Sequence, residues 1–429
     1  MDMPNFSLDD QVFFDAAAQF QTPFHLYSEA GVRQTARALK AAFSGVPDFR
    51  EYFAVKALPT PAILRILKDE GCGVDCASMT ELMLAEACGF HGGDIMFSAN
   101  DVPPEEFVYA RSLNAHINLD DVTHVEVLEH NGGIPEEVCL RFNPGGTFHI
   151  GNTIMGDPGE AKYGMTRAQL GQALDMLRLR GAKRFGLHSF LSSNTTDPAY
   201  YPALARLLFQ TGLELMRESD LELSFINLSG GIGIPYRPEE PAADIVAIGA
   251  GVCEAYHDIF TRNGITGVAI KTELGRYMTG PNGWLVTHIL NEKRIYKRYL
   301  GLDASACDLM RPAMYGAYHH ITLPGKEHLP HDEKVDVTGS LCENNDKFAV
   351  DRMLPKAEVG DLLVIHDTGA HGLSMGYNYN GKLRCKEVLY REDGFFELIR
   401  RAETPRDYFA TLDVDPVWSH LEQHWRQER

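Results

Sequence analysis

Polar or ionisable residues that could take part in catalysis or binding lie at the ends of eight apolar, strand-like runs in this chain. Lys56 is the first of them, at the end of the run Tyr52-Phe53-Ala54-Val55. The others, in chain order, are Asp75, Asn100, Asp120, Arg141 with Asn143, His188, Ser229 with Gly230 and Gly231, and Glu273 with Arg276. A single aspartate at a strand end is usually a helix cap, and we interpret Asp120 in this way. Eight such groups are hard to explain as caps, and together they offer an amine, an imidazole, carboxylates and guanidinium groups.

Glycine-rich segments follow the seventh and eighth runs. Residues 229–233 (SGGIG) would let backbone N–H groups approach an anion, and residues 273–276 (ELGR) add Gly275 and the guanidinium of Arg276, which can bind phosphate with two hydrogen bonds. Alone, a GGxG segment is often an ordinary turn. Its position favours a phosphate site, because phosphate sites in eightfold strand–helix barrels lie after strands seven and eight.

A phosphate site, a lysine, a histidine and a carboxylate together suit pyridoxal 5′-phosphate. Lys56 would form the Schiff base with the cofactor, and Glu273 would keep the pyridine nitrogen protonated so that the ring accepts electrons. His188 could stack on the ring. The alternative for Lys56 is a surface lysine whose aliphatic stem packs on apolar neighbours while its ammonium reaches water.

The spacing of the runs predicts the elements that would position these groups. The runs begin near Phe53, Gly73, Ile95, His116, Val138, Arg184, Phe225 and Val268, first 20 to 22 and later 41 to 46 residues apart. Helix signals lie between them, such as the capping box of Ser78 and Glu81, with Gly89 as a C-terminal stop. This is the pattern of a (β/α)8 barrel, whose active site lies at the C-terminal ends of its strands.

After about residue 280 the chain changes to short β runs separated by turns. The runs are WLVTHIL (284–290), KVDVTGSL (334–341), DLLVIHD (361–367) and KLRCKEVLY (382–390). We therefore expect an α/β protein with a barrel over residues 26–280 and a mainly antiparallel β domain. Residues 281–429 would form that β domain together with residues 1–25, which run into the strand-like PFHLYS. Residues 416–429 are predicted to form a terminal helix.

Composition argues against several classes of protein. The 429 residues carry a formal charge of −19, which does not favour nucleic acid or an anionic membrane as a partner. No apolar run has transmembrane length, and the acidic N-terminus lacks the features of a signal peptide. The eight cysteines include no CxxC pair, which is typical of reduced thiols in a cytoplasmic protein. No metal is expected, because the spacing of His319, His320, His328 and His331 fits no helical ligand pair.

Further motifs resemble one known family. The segments 311–319 (RPAMYGAYH) and 341–346 (LCENND) resemble the diaminopimelate decarboxylases, a branch of the fold-type III pyridoxal-phosphate decarboxylases that share the barrel of alanine racemase. The segments 162–165 (KYGM) and 374–380 (SMGYNYN) match as well. The resemblance extends from PFHLYS near the N-terminus to EVLY at 387–390.

The resemblance implies decarboxylation of meso-2,6-diaminopimelate to L-lysine, the last step of lysine biosynthesis, by a homodimer with shared active sites. Lys56 would be catalytic, and Cys342 would reprotonate the α-carbon in the partner's site. Glu343 would hold the distal ammonium of the substrate. Its distal carboxylate would be held by Arg276, Arg311 and Tyr315, a set that a simple diamine precursor does not need. The residues implied to bind the cofactor are Lys56, Asp75, His188, Ser229, Gly230, Gly231, Glu273, Gly275, Arg276, His371 and Tyr377, the last also at the substrate.

Three positions depart from the pattern of that family. SFLSSN follows His188 where the family has glycine and serine, ELGR replaces Glu-Pro-Gly-Arg, and His371 replaces a tyrosine that touches cofactor and substrate. Tyr377 could take over that role. Decarboxylation of carboxynorspermidine, arginine, ornithine or a D-amino acid therefore stays open. A non-catalytic cofactor carrier is a further alternative, against which Lys56, Glu273 and Cys342 count. Residues 145–159, rich in glycine, are the candidate for a mobile lid.

Overall fold

The computed structural model describes residues 8–148 and 158–413 of the chain. The described part of the chain begins with α1 (Asp10–Phe20) and β1 (Phe24–Ser28) and continues into a closed barrel of eight parallel strands. The barrel strands are β2 (Arg50–Ala54), β3 (Gly73–Cys76), β4 (Ile95–Ser98), β5 (His116–Leu119), β6 (Glu137–Arg141), β7 (Arg184–His188), β8 (Glu222–Asn227) and β9 (Ala269–Thr272). All eight predicted runs begin within three residues of these strands, so the predicted barrel is confirmed.

Helices surround the barrel between successive strands. They are α2 (Glu29–Ala42), α3 (Pro61–Asp69), α4 (Met79–Ala87), α5 (Pro104–Ser112), α6 (His124–His130), α7 (Arg167–Leu179), α8 (Tyr200–Ser219) and α9 (Ile245–Ile259), followed by the single turn α10 (Arg276–Thr279). Ser78 caps α4 as predicted by accepting a hydrogen bond from the Glu81 backbone. The Glu81 carboxylate bonds the backbone N–H of Ala77, one residue earlier than a capping box requires.

The remaining strands form a nine-stranded, mostly antiparallel sheet. They are β10 (Gly283–Arg294), β11 (Arg298–Leu302), β12 (Ile321–Thr322), β13 (Glu333–Thr338), β14 (Lys347–Leu354), β15 (Leu362–Ile365), β16 (Lys386–Tyr390) and β17 (Phe396–Arg400), with the short helices α11 (Arg311–Tyr315) and α12 (Pro405–Tyr408). Strand β1 lies in this sheet between β10 and β16. The predicted second, mainly antiparallel unit is confirmed, while the limits 26–280 and 281–429 stay predictions.

Two predictions fall on parts of the chain outside the described residues. They are most of the candidate lid at 145–159 and the terminal helix at 416–429. Among the helices of residues 8–148 and 158–413, none combines the length and the apolar character needed to cross a membrane.

Glu51 is a buried carboxyl that joins β2 to the end of β9. It accepts hydrogen bonds from the Thr272 hydroxyl and from the backbone N–H of Leu274 at 2.8 Å. Burial raises the pKa of Glu51 to about 8 in spite of these hydrogen bonds. A glutamate in the unfolded chain has a pKa of about 4.3. Between that pH and about pH 8, the folded protein therefore binds the proton of Glu51 more tightly than the unfolded chain does. The contribution of Glu51 to stability is therefore lost as the pH rises through this window.

Glu51→Gln is expected to be more stable than the parent at pH 8 by roughly 1–3 kcal/mol, with little difference near pH 5. Glutamine cannot ionise, and its amide oxygen can still accept the hydrogen bond of the Leu274 N–H. Thermal unfolding midpoints at both pH values measure the effect, with Glu214→Gln on the exposed face of α8 as the control. An equal difference at both pH values would contradict the assigned titration.

Candidate active site

Lys56 lies at the mouth of the barrel, directly after β2, in a single 3-10 turn (Val55–Ala57). Val55 and Ala57 are buried, whereas the Lys56 side chain is 54% exposed, so its amine can be reached from the mouth. Its Nζ lies 3.3 Å from Oδ2 of Asp75, at the end of the neighbouring strand β3. The lysine is thus held beside a buried carboxyl group and is not a lysine of the outer surface.

Glu273, which follows β9, is the most heavily hydrogen-bonded carboxylate of the mouth. One oxygen accepts hydrogen bonds from His188 Nε2 at 3.0 Å and Ser229 Oγ at 2.9 Å. The other accepts from Asn227 Nδ2 at 2.7 Å and Ser98 Oγ at 3.0 Å. Burial alone would raise the pKa of Glu273, but the His188 imidazole and the other donors hold it well below its usual value. Glu273 therefore stays charged.

Asp75 differs from Glu273 because its surroundings raise its pKa. It is 1% exposed, its Oδ2 faces Lys56, and its Oδ1 has no hydrogen-bond partner within the described residues. Burial and the nearby charge of Glu273 raise the pKa of Asp75, and the Lys56 ammonium offsets only part of this effect. Two close carboxyl groups with divergent pKa values are typical of functional sites.

The glycine-rich loops after β8 and β9 pass close to each other. A Cβ on Gly230 would come within 2.9 Å of the Glu273 carbonyl oxygen, and a Cβ on Gly275 within 2.7 Å of the Ala57 Cβ. Gly231 has φ of +127°, which favours glycine. In the part of the chain that the structure describes, the backbone N–H groups of Gly230, Gly231 and Gly275 have no acceptor. Such free, clustered N–H groups are what an anion site requires.

A second cluster, beside the mouth, contains two arginines that share one phenol. Arg276 and Arg311 both donate a hydrogen bond to the hydroxyl of Tyr236, Arg311 at 2.6 Å. Arg311 also donates to His319 Nε2 at 3.1 Å. Within the described residues, neither arginine forms an ion pair with a carboxylate. We call Arg276, Arg311, Tyr236 and His319 the guanidinium cluster.

His371 lies close both to the turn that carries Lys56 and to the guanidinium cluster. Its backbone N–H donates to the carbonyl of Ala57 at 2.9 Å, so it contacts the turn that carries Lys56. Burial and the charges of Arg276 and Arg311 lower the pKa of His371 to about 3. The imidazole is therefore neutral and can donate one hydrogen bond and accept another.

Four other predicted residues form no hydrogen bond with Lys56 within the part of the chain that the structure describes. Tyr315, Cys342 and Glu343 are exposed, and the Cys342 backbone N–H donates to Asn380 Oδ1 at 2.7 Å. Tyr377 packs with Cys307 and Leu341, which lie in the segments that follow β11 and β13. No hydrogen bond among the described residues joins the side chains of these four to Lys56 or Glu273.

Several residues of the site were not anticipated from the sequence. Ser98 and Asn227 are polar residues at the ends of barrel strands and share the signal that identified Asp75. Tyr236 follows the glycine-rich loop within GGIGIPY, and only this position near the predicted phosphate site could have identified it as a residue of the site. His319 bonds Arg311 and the His366 carbonyl, and no group of three or more metal-ligating side chains occurs among the described residues.

Comparison with known proteins identifies the family. The family described as "Pyridoxal-dependent decarboxylase, pyridoxal binding domain" matches residues 30–280. Protein TabA of Pseudomonas amygdali pv. tabaci is 42% identical, over 93% of each chain. Diaminopimelate decarboxylase of Methanothermobacter thermautotrophicus is 33% identical, over 93% of this chain and 94% of the other. The crystal structure of diaminopimelate decarboxylase from M. jannaschii in complex with L-lysine superposes with a TM-score of 0.85, at 28% identity over 94% of each chain.

The residues at the mouth fit this cofactor. They provide an accessible amine at Lys56, a charged carboxylate at Glu273, free backbone N–H groups in the glycine-rich loops, and a buried Nδ1 on His188 that lacks a partner among the described residues. Amine, acid and anion site are the three groups that pyridoxal phosphate needs from a protein. With the family match over most of the barrel, these observations lead to one conclusion: the chain belongs to the pyridoxal-dependent decarboxylases and is a pyridoxal 5′-phosphate enzyme of the carboxy-lyase class.

Proposed function

We propose that this enzyme decarboxylates meso-2,6-diaminopimelate to L-lysine, the last step of lysine biosynthesis. The observation that carries the proposal is the pair Arg276 and Arg311, which lies beside the mouth without a carboxylate partner among the described residues. Paired guanidinium groups bind carboxylates with several charge-assisted hydrogen bonds. Diaminopimelate carries a second carboxylate, and lysine and ornithine as substrates do not. The relatives named diaminopimelate decarboxylase support the same choice.

When bound, pyridoxal phosphate supplies a ring that accepts the electron pair left when CO2 departs. We assign the covalent hold on the cofactor to the amine of Lys56, next to Asp75. The charged carboxylate of Glu273 would hold a proton on the pyridine nitrogen. The N–H groups of Gly230, Gly231 and Gly275, with Ser229, would bind the phosphate, and His188 would contact the ring. The neutral imidazole of His371 is placed to donate a hydrogen bond to the cofactor or the substrate.

We further propose that two chains share each active site. The residues that the motifs assign to proton transfer and to the distal ammonium, Cys342 and Glu343, are exposed, and among the described residues their side chains form no hydrogen bond with Lys56 or Glu273. The exposure of these reactive side chains is explained if they complete the active site of a second copy of the chain, related by a two-fold axis. Tyr377, in contact with Leu341, would lie at the same junction. Cys342 would then deliver the proton that replaces CO2 on the α-carbon.

Mixing two inactive variants tests the shared site. Lys56→Ala and Cys342→Ala should each have little activity alone. After unfolding, mixing and refolding, or after co-expression, equal amounts should recover about a quarter of the parent activity, because half of the dimers are hybrids and each hybrid has one intact site. Mixing Lys56→Ala with Glu273→Gln, both at the same mouth, is the matched control and should recover nothing. Failure of the first mixture in a preparation proven to contain hybrid dimers would overturn the shared site.

The substrate is tested by CO2 release from the holoenzyme. The panel contains meso-diaminopimelate, L-lysine, L- and D-ornithine, L-arginine and carboxynorspermidine. We expect kcat/KM for diaminopimelate to exceed every other value at least about a hundredfold, the selectivity expected when a buried charged pair is left without its partner. Preference for any other member would contradict the proposed substrate while leaving the decarboxylase chemistry in place.

A second candidate function is decarboxylation of a related amino acid. Two observations favour it. His371 occupies the position where the family carries a tyrosine, and the relative with 42% identity is a protein named TabA and not diaminopimelate decarboxylase. The same panel of substrates distinguishes this candidate.

We also propose that the enzyme acts in the cytoplasm, because all eight cysteines are unpaired in the structure.

A further inference from the structure

Tyr236 connects the two arginines of the guanidinium cluster. It lies in the loop between β8 and α9, and the residue is 8% exposed. Its hydroxyl oxygen accepts hydrogen bonds from Nη1 of both Arg276 and Arg311. The guanidinium carbons lie 5.6 Å and 4.8 Å from the centroid of its ring. One phenol therefore contacts both cations through its hydroxyl and through its aromatic ring.

His319 fixes Arg311 from another side. Its Nδ1 lies 2.8 Å from the His366 carbonyl and donates to it, which leaves Nε2 to accept the hydrogen bond of Arg311. Burial and the charge of Arg311 lower the pKa of His319 to about 3, so the ring stays neutral. The ring also packs edge-on against Tyr236, with centroids 5.0 Å apart. Arg311 is thus held by two neutral acceptors whose own positions are fixed by packing.

The neutrality of these acceptors matters for binding. Two adjacent guanidinium groups repel each other, and a carboxylate between them would remove the repulsion but also neutralise the site. A phenol and an imidazole hold both cations and leave their charge available to a ligand. Asp367 lies close enough to influence Arg311, but burial raises its pKa to about 7, so it is only partly charged near neutral pH.

We propose that Tyr236 is a positioning residue that sets the spacing of Arg276 and Arg311 and thereby selects ligands with a carboxylate at the end remote from the reaction. This inference rests on the proposed function of the arginine pair. It assigns to Tyr236 no contact with the reacting atoms. Its role is to keep two N–H donors aimed at one anion, which a free arginine side chain would do only at a cost in conformational entropy.

The test is Tyr236→Phe, which removes the hydroxyl and keeps the ring. Tyr236 also borders a cavity of about 890 Å³, so removing the whole ring would add a packing defect. The matched control is Tyr256→Phe, which removes a buried hydroxyl that bonds the Val268 carbonyl, outside both clusters. Titration calorimetry on the three holoproteins compares two ligands, L-lysine, which retains one carboxylate, and 1,5-diaminopentane, which has none.

We expect Tyr236→Phe to weaken L-lysine binding about tenfold and to leave diaminopentane binding unchanged, with Tyr256→Phe like the parent for both ligands. For the decarboxylation substrate, KM should rise by a similar factor while kcat changes less than about twofold. Equal weakening of both ligands, or no change for L-lysine, would overturn the role of Tyr236. If the parent itself does not prefer L-lysine over diaminopentane, the arginine pair is not a carboxylate site and the proposed function fails instead.

Discussion

Lys56→Ala is expected to lower kcat for decarboxylation at least about a thousandfold, because it removes the accessible amine that lies beside Asp75 at the barrel mouth. The loss should appear in kcat more than in KM, since the anion site and the guanidinium cluster remain. The measurement is steady-state CO2 release with saturating pyridoxal phosphate, accompanied by the absorption spectrum of the bound cofactor.

Lys271→Met is the informative control for Lys56. Lys271 is buried at the opposite, N-terminal end of the barrel, where its Nζ contacts His116 Nε2 at 3.0 Å and the Phe225 ring at 3.7 Å. Burial lowers the pKa of Lys271 to about 8, a property often found in reactive lysines. Its location predicts a structural role instead, since active sites of such barrels lie at the other end. If Lys271→Met lost activity while Lys56→Ala retained it, the location of the site would be wrong.

Glu273→Gln is expected to lower kcat about a hundred- to a thousandfold. The carboxylate accepts four hydrogen bonds and keeps its charge, whereas an amide has one acceptor oxygen and would direct its NH2 group at two of the donors. A protonated pyridine nitrogen would lose the negative partner that stabilises it. Rapid single-turnover measurement of CO2 release separates this chemical effect from weaker cofactor binding.

The control for Glu273→Gln is Glu51→Gln, which changes a second buried glutamate on the adjoining strand. The pKa of Glu51 is raised to about 8, so this residue is largely neutral at pH 7 and the substitution removes little charge. Its kcat should stay within about twofold of the parent. Equal losses in the two variants would show that Glu273 matters for packing and not for its charge.

The barrel and the core of the mouth could be predicted because the chain repeats one unit. Parallel strands bury both faces, so each reads as an apolar run, and a polar residue at its end marks the face where the strand ends converge. Lys56, Asp75, His188 and Glu273 were identified in this way. The spacing alone placed them on one face of the barrel, and the structure brings Lys56 to Asp75 and His188 to Glu273.

The guanidinium cluster could be predicted only in part. Arg276 and Arg311 were expected to act together, but the loop that carries Tyr236 has no periodicity, and contact with both arginines depends on how that loop packs between the barrel and the second sheet. No metal was expected at His319 and His320, and their spacing indicated no other role. The structure shows that His319 accepts a hydrogen bond from Arg311, a contact that spacing could not predict.

The most direct test of the account is to find which lysine carries the cofactor. Borohydride reduction of the holoenzyme, followed by proteolysis and mass spectrometry, fixes pyridoxal phosphate to the amine that holds it. We predict a single modified peptide, with the added mass on Lys56. Modification of Lys271 or another lysine, with Lys56 unmodified, would contradict the assignment of the barrel mouth as the active site.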